Sequence, residues 1–415
     1  MKNLITLLFI AVAQLSTAQQ WYNIEAPTTN KLTEVDFPSP LVGYIGGEYK
    51  TLLKTTDGGI TWNTLDISTL SEISFSITDL SFLTENIGYM IAGTSWLYKT
   101  EDGGNTWTRE ELQGANQLCF LSKIHPVGPD HYFLGGSGCF QSEFIYEFVN
   151  GTYILRPDNL EMFGAEHAIS DFAFHDNIGI ATTVGAYFLR STNNGASWDS
   201  IPTNLEYGYE YLTGVTFLSS DTLYASYTQQ GGSMSGCLIS TDGGLSWSID
   251  SDMAFFLSPS LHSIAKSHNN TLFAAGGFAE DFNAVFHKPS GAWWEYTLLE
   301  QPVYDVASYG DDIAFVVGDS GFIAVNRDPS TIGISDNNTT LFKLFPNPVE
   351  TELRLTSPEV PNMELEILNG FGQVVKKASY SGSQGTINLE NVPSGPYWIR
   401  FSWDGETRKK AFVKR

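Results

Sequence analysis

The chain has 415 residues and a formal charge of −24, from 46 Asp plus Glu against 22 Lys plus Arg. Residues 1–340 carry 38 acids and 12 bases, whereas residues 341–415 carry 8 acids and 10 bases. A body this acidic is excluded from gripping DNA by counterion release and from lying on an anionic membrane, and 13% aromatic with only 16% charged residues excludes a disordered chain.

Residues 1–18 read as a secretory signal peptide: Lys2, an apolar run from Leu4 to Ala13, then Ser16-Thr17-Ala18 as a small-x-small cleavage site. The run is too short to span a bilayer, which needs ~20 residues. An N-terminal anchor or buried helix is the alternative. An exported chain is free to form disulfides. Cys119 and Cys139 fall in one predicted sheet and either pair or stay as buried thiols, with Cys237 left over.

Residues 19–328 are built on a repeat. Four segments share the form Ser/Thr-x-Asp/Asn-x-Gly-x-x-Trp: Thr55, Asp57, Gly59 and Trp62; Thr100, Asp102, Gly104 and Trp107; Ser191, Asn193, Gly195 and Trp198; Ser240, Asp242, Gly244 and Trp247. The pattern predicts a hairpin. Asp or Asn accepts a backbone N–H two residues on, Gly supplies positive φ, and Trp opens the next strand and packs across the turn. Trp62 and Trp107 lie 45 residues apart and Trp107 and Trp198 lie 91 apart, so a worn copy is expected at Asn150-Gly151-Thr152-Tyr153, and another at Ser290 to Trp294.

Each unit opens with an alternating strand, such as Val35/Phe37 or Phe172/Phe174, followed by an apolar-Gly strand such as Val42 to Gly46. Four short antiparallel strands per ~45 residues predict an all-β chain of propeller blades. Seven strand starts are countable, with six or eight blades as alternatives. The last unit, Tyr304 to Arg327, has only three strands, and the segment at Gln20-Trp21-Tyr22 supplies the missing fourth. Such closure leaves no open edge for aggregation.

Two features point to a binding face. The residue before each first strand is often acidic: Glu34, Asp79, Asp171 and Asp305. Held around one channel mouth, these carboxylates would raise one another's pKa or recruit a cation, with calcium the candidate. Alternatively each accepts N–H groups from an adjacent loop. The loops between second and third strands offer Tyr49, Trp96, Tyr187, Glu280 and Asp281, aromatic and acidic groups suited to sugars or peptides, or else a plain solvated rim. No Ser-His-Asp, His-Glu-x-x-His or phosphate-loop motif is visible, and no metal ligand set is expected. A glycosidase needs only two carboxylates, so that chemistry stays open.

A polar linker, residues 329–341, precedes a domain at 342–415. Alternation at Leu353/Leu355 and Leu365/Ile367, with turns at Asn369-Gly370 and Pro393-Ser394-Gly395, predicts a small antiparallel β-sandwich.

The repeated turn resembles the Asp-box, or BNR repeat, of sialidases, xyloglucan-cleaving glycosidases, sortilin-type receptors and photosystem II assembly factors. Val42-Gly43-Tyr44-Ile45-Gly46-Gly47 followed by Lys54-Thr55-Thr56-Asp57-Gly58-Gly59 is most similar to the last group. That resemblance implies a seven-bladed propeller over about residues 20–328. A sialidase would need three converging arginines, and the body has only Arg109, Arg156, Arg190 and Arg327, with Arg190 directly before an Asp-box.

The tail resembles the type A C-terminal sorting domain of the type IX secretion system. Phe345-Pro346-Asn347-Pro348, Gly395-Pro396-Tyr397 and Phe412-Val413-Lys414 carry the likeness. It implies handling by the type IX machinery, export through the periplasm and across the outer membrane, and release or surface attachment. The combined expectation is a secreted or cell-surface, non-enzymatic binding or scaffolding module for a glycan or protein, with a carbohydrate-active hydrolase as the alternative.

Overall fold

In the computed structural model of the chain, the described residues are 20–70, 76–93, 95–112, 118–138, 143–156, 168–185, 187–203, 210–229, 235–253, 260–278, 282–310, 313–327, 343–345, 349–356, 363–369, 374–380, 384–403 and 406–415. The expected signal peptide, the linker 329–341, Cys139, Glu280, Asp281 and Pro346, Asn347 and Pro348 lie outside them.

Runs such as Gly43–Gly47 and Ile313–Gly318 are buried at every position, because a second strand has a neighbouring sheet on each face. Fourth strands such as Asn63–Thr64 are exposed. Between these extremes the chain pairs into seven four-stranded antiparallel sheets. They are the blades of a β-propeller, numbered 1 to 7 and beginning at Leu32, Ile77, Leu118, Ile169, Glu210, Leu261 and Val303. Their first strands pack side by side into a closed ring, in which Leu32–Asp36 touches both Ile77–Phe82 and Val303–Tyr309.

The ring is closed by the start of the described chain. Tyr22–Ile24 pairs with Ile323–Val325 as the outer strand of blade 7, with Tyr22 opposite Val325 and Ile24 opposite Ile323. Trp21 packs edge-on to Phe273 of blade 6, at 6.5 Å between ring centroids.

The four repeated turns share one hydrogen-bond pattern. Thr55 Oγ1 donates to Asp57 Oδ1 at 2.8 Å and accepts from Gly59 N at 2.9 Å. Asp57 in turn accepts from Thr61 N at 2.9 Å and Thr61 Oγ1 at 2.6 Å, a partner four residues on rather than two. The same bonds recur around Asp102 and Asp242. At Asn193 the amide donates to Ser197 Oγ instead, which suits an amide nitrogen where the others have a second carboxylate oxygen.

Each turn also wedges against the preceding blade. Tyr309 donates to Gly58 O, Tyr44 and Lys54 to Gly103 O, and Arg190 to Gly243 O. The worn turn at Asn150-Gly151 is a two-residue hairpin with φ of 52° and 78°, and Tyr153 after it bonds Tyr132. At the other worn copy, Trp294 is buried and donates to Asp250 Oδ2 at 2.8 Å.

In the tail, a three-stranded sheet (Lys343–Phe345, Glu352–Thr356 and Gln384–Asn388) and a four-stranded one (Met363–Leu368, Val374–Tyr380, Gly395–Trp403 and Glu406–Lys414) share one core. Leu353, Leu355 and Ile387 from the first meet Leu365, Ile399, Phe401 and Phe412 from the second, as a β-sandwich requires. Tyr397 is buried with its hydroxyl on Pro393 O at 3.0 Å. Gly395 adopts φ 151°, and Lys414 is buried with its ammonium on Arg415 O.

Gly59 tests the wedge. Its φ is +87°, and an added Cβ would lie 2.3 Å from Phe315 of blade 7. Gly59→Ala is expected to cost about 2–4 kcal/mol, from the left-handed backbone and overpacking together, read as a lower urea midpoint. Gly151→Ala, with open space around its Cβ, should cost only the backbone part.

Candidate functional site: the axial channel

Every first strand carries a β-bulge near its start. The extra residue falls after Leu32, Ile77, Leu121, Ile169, Leu212, Leu261 and Val303. A bulge re-aims the side chain that follows it. The seven residues that follow are Glu34, Asp79, Lys123, Asp171, Gly214, Ser263 and Asp305. All but the side-chain-less Gly214 line a cavity of about 400 Å³ on the propeller axis. The four predicted acids do converge on one channel, but from within the first strands rather than before them, because the bulge turns a position of the strand itself toward the axis.

Most of these carboxylates bond across a blade seam. Asp305 Oδ2 of blade 7 accepts from Val35 N of blade 1 at 2.8 Å. Asp36 of blade 1 accepts from Phe82 N of blade 2 at 2.6 Å, Asp79 of blade 2 from Ile124 N of blade 3 at 2.6 Å, and Asp171 of blade 4 from Val215 N of blade 5 at 2.9 Å. The second oxygens of Asp171 and Asp305 accept the N–H of the next residue on their own strand. Thr33 adds a hydroxyl bond to Ile77 O at 2.9 Å across the seam between blades 1 and 2. The N–H groups of Val35, Ile124 and Val215, each just past a bulge, thus find carboxylate acceptors, as buried donors require.

The channel also holds a cation of its own. Lys123 Nζ lies 2.7 Å from Asp79 Oδ1 and 3.6 Å from Glu34 Oε2. Burial opposes its charge, but Asp79, Glu34, Asp171 and Asp305 outweigh that and hold its pKa well above the usual value. Burial raises Asp36 to about 7 and Asp171 to about 6, against the opposing backbone hydrogen bonds and, for Asp171, against Lys123. Burial likewise raises Asp305. Burial, helped by Lys123, lowers His125 on the channel wall to about 4, so that imidazole is neutral at pH 7. Among the described residues, no group of three or more His, Cys, Asp or Glu side chains is arranged to hold a metal ion.

The remaining predicted face residues disperse. Tyr49 is 67% exposed. Trp96, also expected on a loop, opens the third strand of blade 2 and is half-buried, with the Arg109 guanidinium stacked 3.7 Å from its ring centre. Tyr187, expected on an exposed loop, opens the third strand of blade 4 instead and is buried, its ring joining the core around Phe172 and Trp198. Cys237 is a buried free thiol whose pKa burial pushes up.

Lys123 and Asp36 are channel residues that the acidic pattern does not mark, but the sequence holds a signal for Lys123. Aligning Leu32-Thr33-Glu34-Val35, Ile77-Thr78-Asp79-Leu80 and Leu121-Ser122-Lys123-Ile124 as apolar-x-x-apolar places Lys123 in the ring.

Residues 13–132 match the family described as photosynthesis system II assembly factor YCF48. Residues 343–415 match the secretion system C-terminal sorting domain. Two solved structures are similar to the body: YCF48 bound to D1 peptide (18% identity, TM-score 0.57, covering 74% of this chain and 94% of that one), and YCF48 from Cyanidioschyzon merolae (16% identity, TM-score 0.55, covering 74% and 98%). At these identities the likeness is one of fold. No functionally curated protein matches the sequence. The tail's match indicates export by type IX secretion to the cell surface or beyond. No helix among the described residues is long and apolar enough to cross a membrane.

Asp79→Ala would strip Ile124 N of its acceptor and Lys123 of its closest carboxylate in a buried setting. The expected cost is about 3 kcal/mol or more, measured by urea unfolding. Asp79→Asn, which keeps one acceptor, should cost less.

Proposed function

We propose that the exported body is a non-enzymatic binding module that takes a neutral or basic peptide segment on the face bearing its second-to-third-strand loops. The observation that carries this reading is the presentation of Tyr49. Tyr49 and Lys50 both sit at positive φ, 53° and 58°, a strained conformation for residues with side chains. The loop is pinned by Glu48 N to Lys31 O, Thr51 N to Glu48 O and Lys50 Nζ to Leu70 O. Strain held in place this way keeps an aromatic ring exposed, as an anchor for a partner requires.

Charge supports a ligand that is not an anion, given the 38 acids and 12 bases of residues 1–340. The fold is one on which a peptide complex is known, that of YCF48 with D1 peptide. A non-catalytic role is supported by Asp79, Asp171 and Asp305, three of the five channel carboxylates, which are held by backbone N–H groups and, at Asp79, by Lys123 as well.

Two measurements check the reading. The chain screened on peptide and glycan arrays should retain peptides, and Tyr49→Ala should weaken binding about tenfold or more, roughly 1.4 kcal/mol, with its unfolding midpoint unchanged. Glycan hydrolysis, or unchanged binding by the variant, would contradict it. In a host with a type IX system, a chain lacking residues 341–415 should accumulate in the periplasm, and its appearance in the medium would remove the sorting role of the tail.

A further inference from the structure

The acids of the axial ring are not equivalent. Asp79, Asp171 and Asp305 each accept at least one backbone N–H. Glu34 has Lys123 as its nearest charged partner, at 3.6 Å, too long for a hydrogen bond, although its side chain is only 17% exposed. Lys123 is engaged first by Asp79, at 2.7 Å. Glu34 is faced by Asp305 from blade 7, Asp79 from blade 2, Lys123 from blade 3 and Asp171 from blade 4. Asp36 stands two residues along its own strand, and His125 and His262 line the same cavity. Among the residues lining it, one ammonium against five carboxylates leaves the ring short of positive charge in a space where water screens poorly.

We infer that Glu34 is a proton-sensitive element of the ring, and that the seams joining blades 7, 1 and 2 tighten when the channel takes up a proton and loosen when it gives one up. Beside it in the strand, Val35 N is held by Asp305 and Asp36 holds Phe82 N, so a charged Glu34 repels the acceptors that join blade 1 to both neighbours. Burial first, then Asp305, Asp79 and Asp171, hold the Glu34 carboxyl well above its usual pKa, with Lys123 opposing. The sign follows from linkage. A carboxyl whose pKa is higher folded than unfolded binds protons preferentially in the folded state. Its contribution therefore favours folding at mildly acidic pH and is lost as pH rises through the raised value. For an exported protein this would couple the rigidity of the body to the acidity outside the cell.

The test is the thermal midpoint of the full chain between pH 5 and pH 8.5, with Glu34→Gln and, as a control for net charge, Glu25→Gln at an exposed position. The wild type should lose stability as pH rises across this window. Glu34→Gln should flatten that slope and raise the midpoint at pH 8 by about 2–4 °C. Glu25→Gln should leave the slope as it is. A wild-type midpoint that is flat or rises with pH, a Glu34→Gln slope equal to that of the wild type, or equal flattening by Glu25→Gln would each overturn the inference. If Glu34→Gln proves poorly folded, Glu34→Ala takes its place, with potentiometric proton uptake on refolding at pH 6 to 7 compared with the wild type: a smaller uptake by the variant supports the inference, and an equal uptake, carried then by Asp36 and Asp171, refutes it.

Discussion

Three residues hold the ring shut. Tyr22–Ile24 runs antiparallel to Ile323–Val325, so the two ends of the body are joined in a single sheet. Each other blade pairs its strands from one continuous stretch of chain, yet its first and second strands bury their faces only against neighbouring blades. A gap at blade 7 would expose Phe315 and Val317 from the cluster shared with blade 1. The bulges, the axial carboxylates and the turn wedges all presuppose that closure, because each acts across a seam.

Acidic side chains serve two opposite purposes in this fold. At the outer turns, Asp102 and Asp242 feel some desolvation, but hydrogen bonds from Thr106 and Thr100, and from Ser246 and Ser240, outweigh it and lower their pKa values. Their contribution is present above the ordinary carboxylate pKa and lost as pH falls below it. On the axis, burial dominates at Glu34, Asp36, Asp171 and Asp305 and their pKa values rise. The body is therefore squeezed from both sides of the pH scale by the same residue type, according to whether the carboxylate meets donors in water or neighbours in a channel.

How much of this was legible in the sequence depends on periodicity. The turns are read directly, because Thr55, Asp57, Gly59 and Trp62 each do a job that few other residues can do at a fixed offset. The worn copies were found by spacing alone, and Tyr153 and Trp294 fill the aromatic position. The bulges were not read, since an extra residue in a strand leaves no composition signal in a single copy. A plain two-residue alternation therefore puts Glu34, Asp79, Asp171 and Asp305 ahead of their strands and leaves Lys123 outside the ring. Tyr187 misled for a related reason: a strand boundary shifted by one or two residues converts a loop aromatic into a core one.

Closure is tested most directly by amide hydrogen exchange at Ile323, Ala324 and Val325, comparing the full chain with one lacking residues 20–26. If the outer strand of blade 7 comes from the start of the described chain, protection at these amides should be strong in the full chain and should collapse on deletion, with little change in blades 3 and 4. Equal protection in both proteins would show that Ile323–Val325 finds its partner elsewhere, and the ring as described would be wrong.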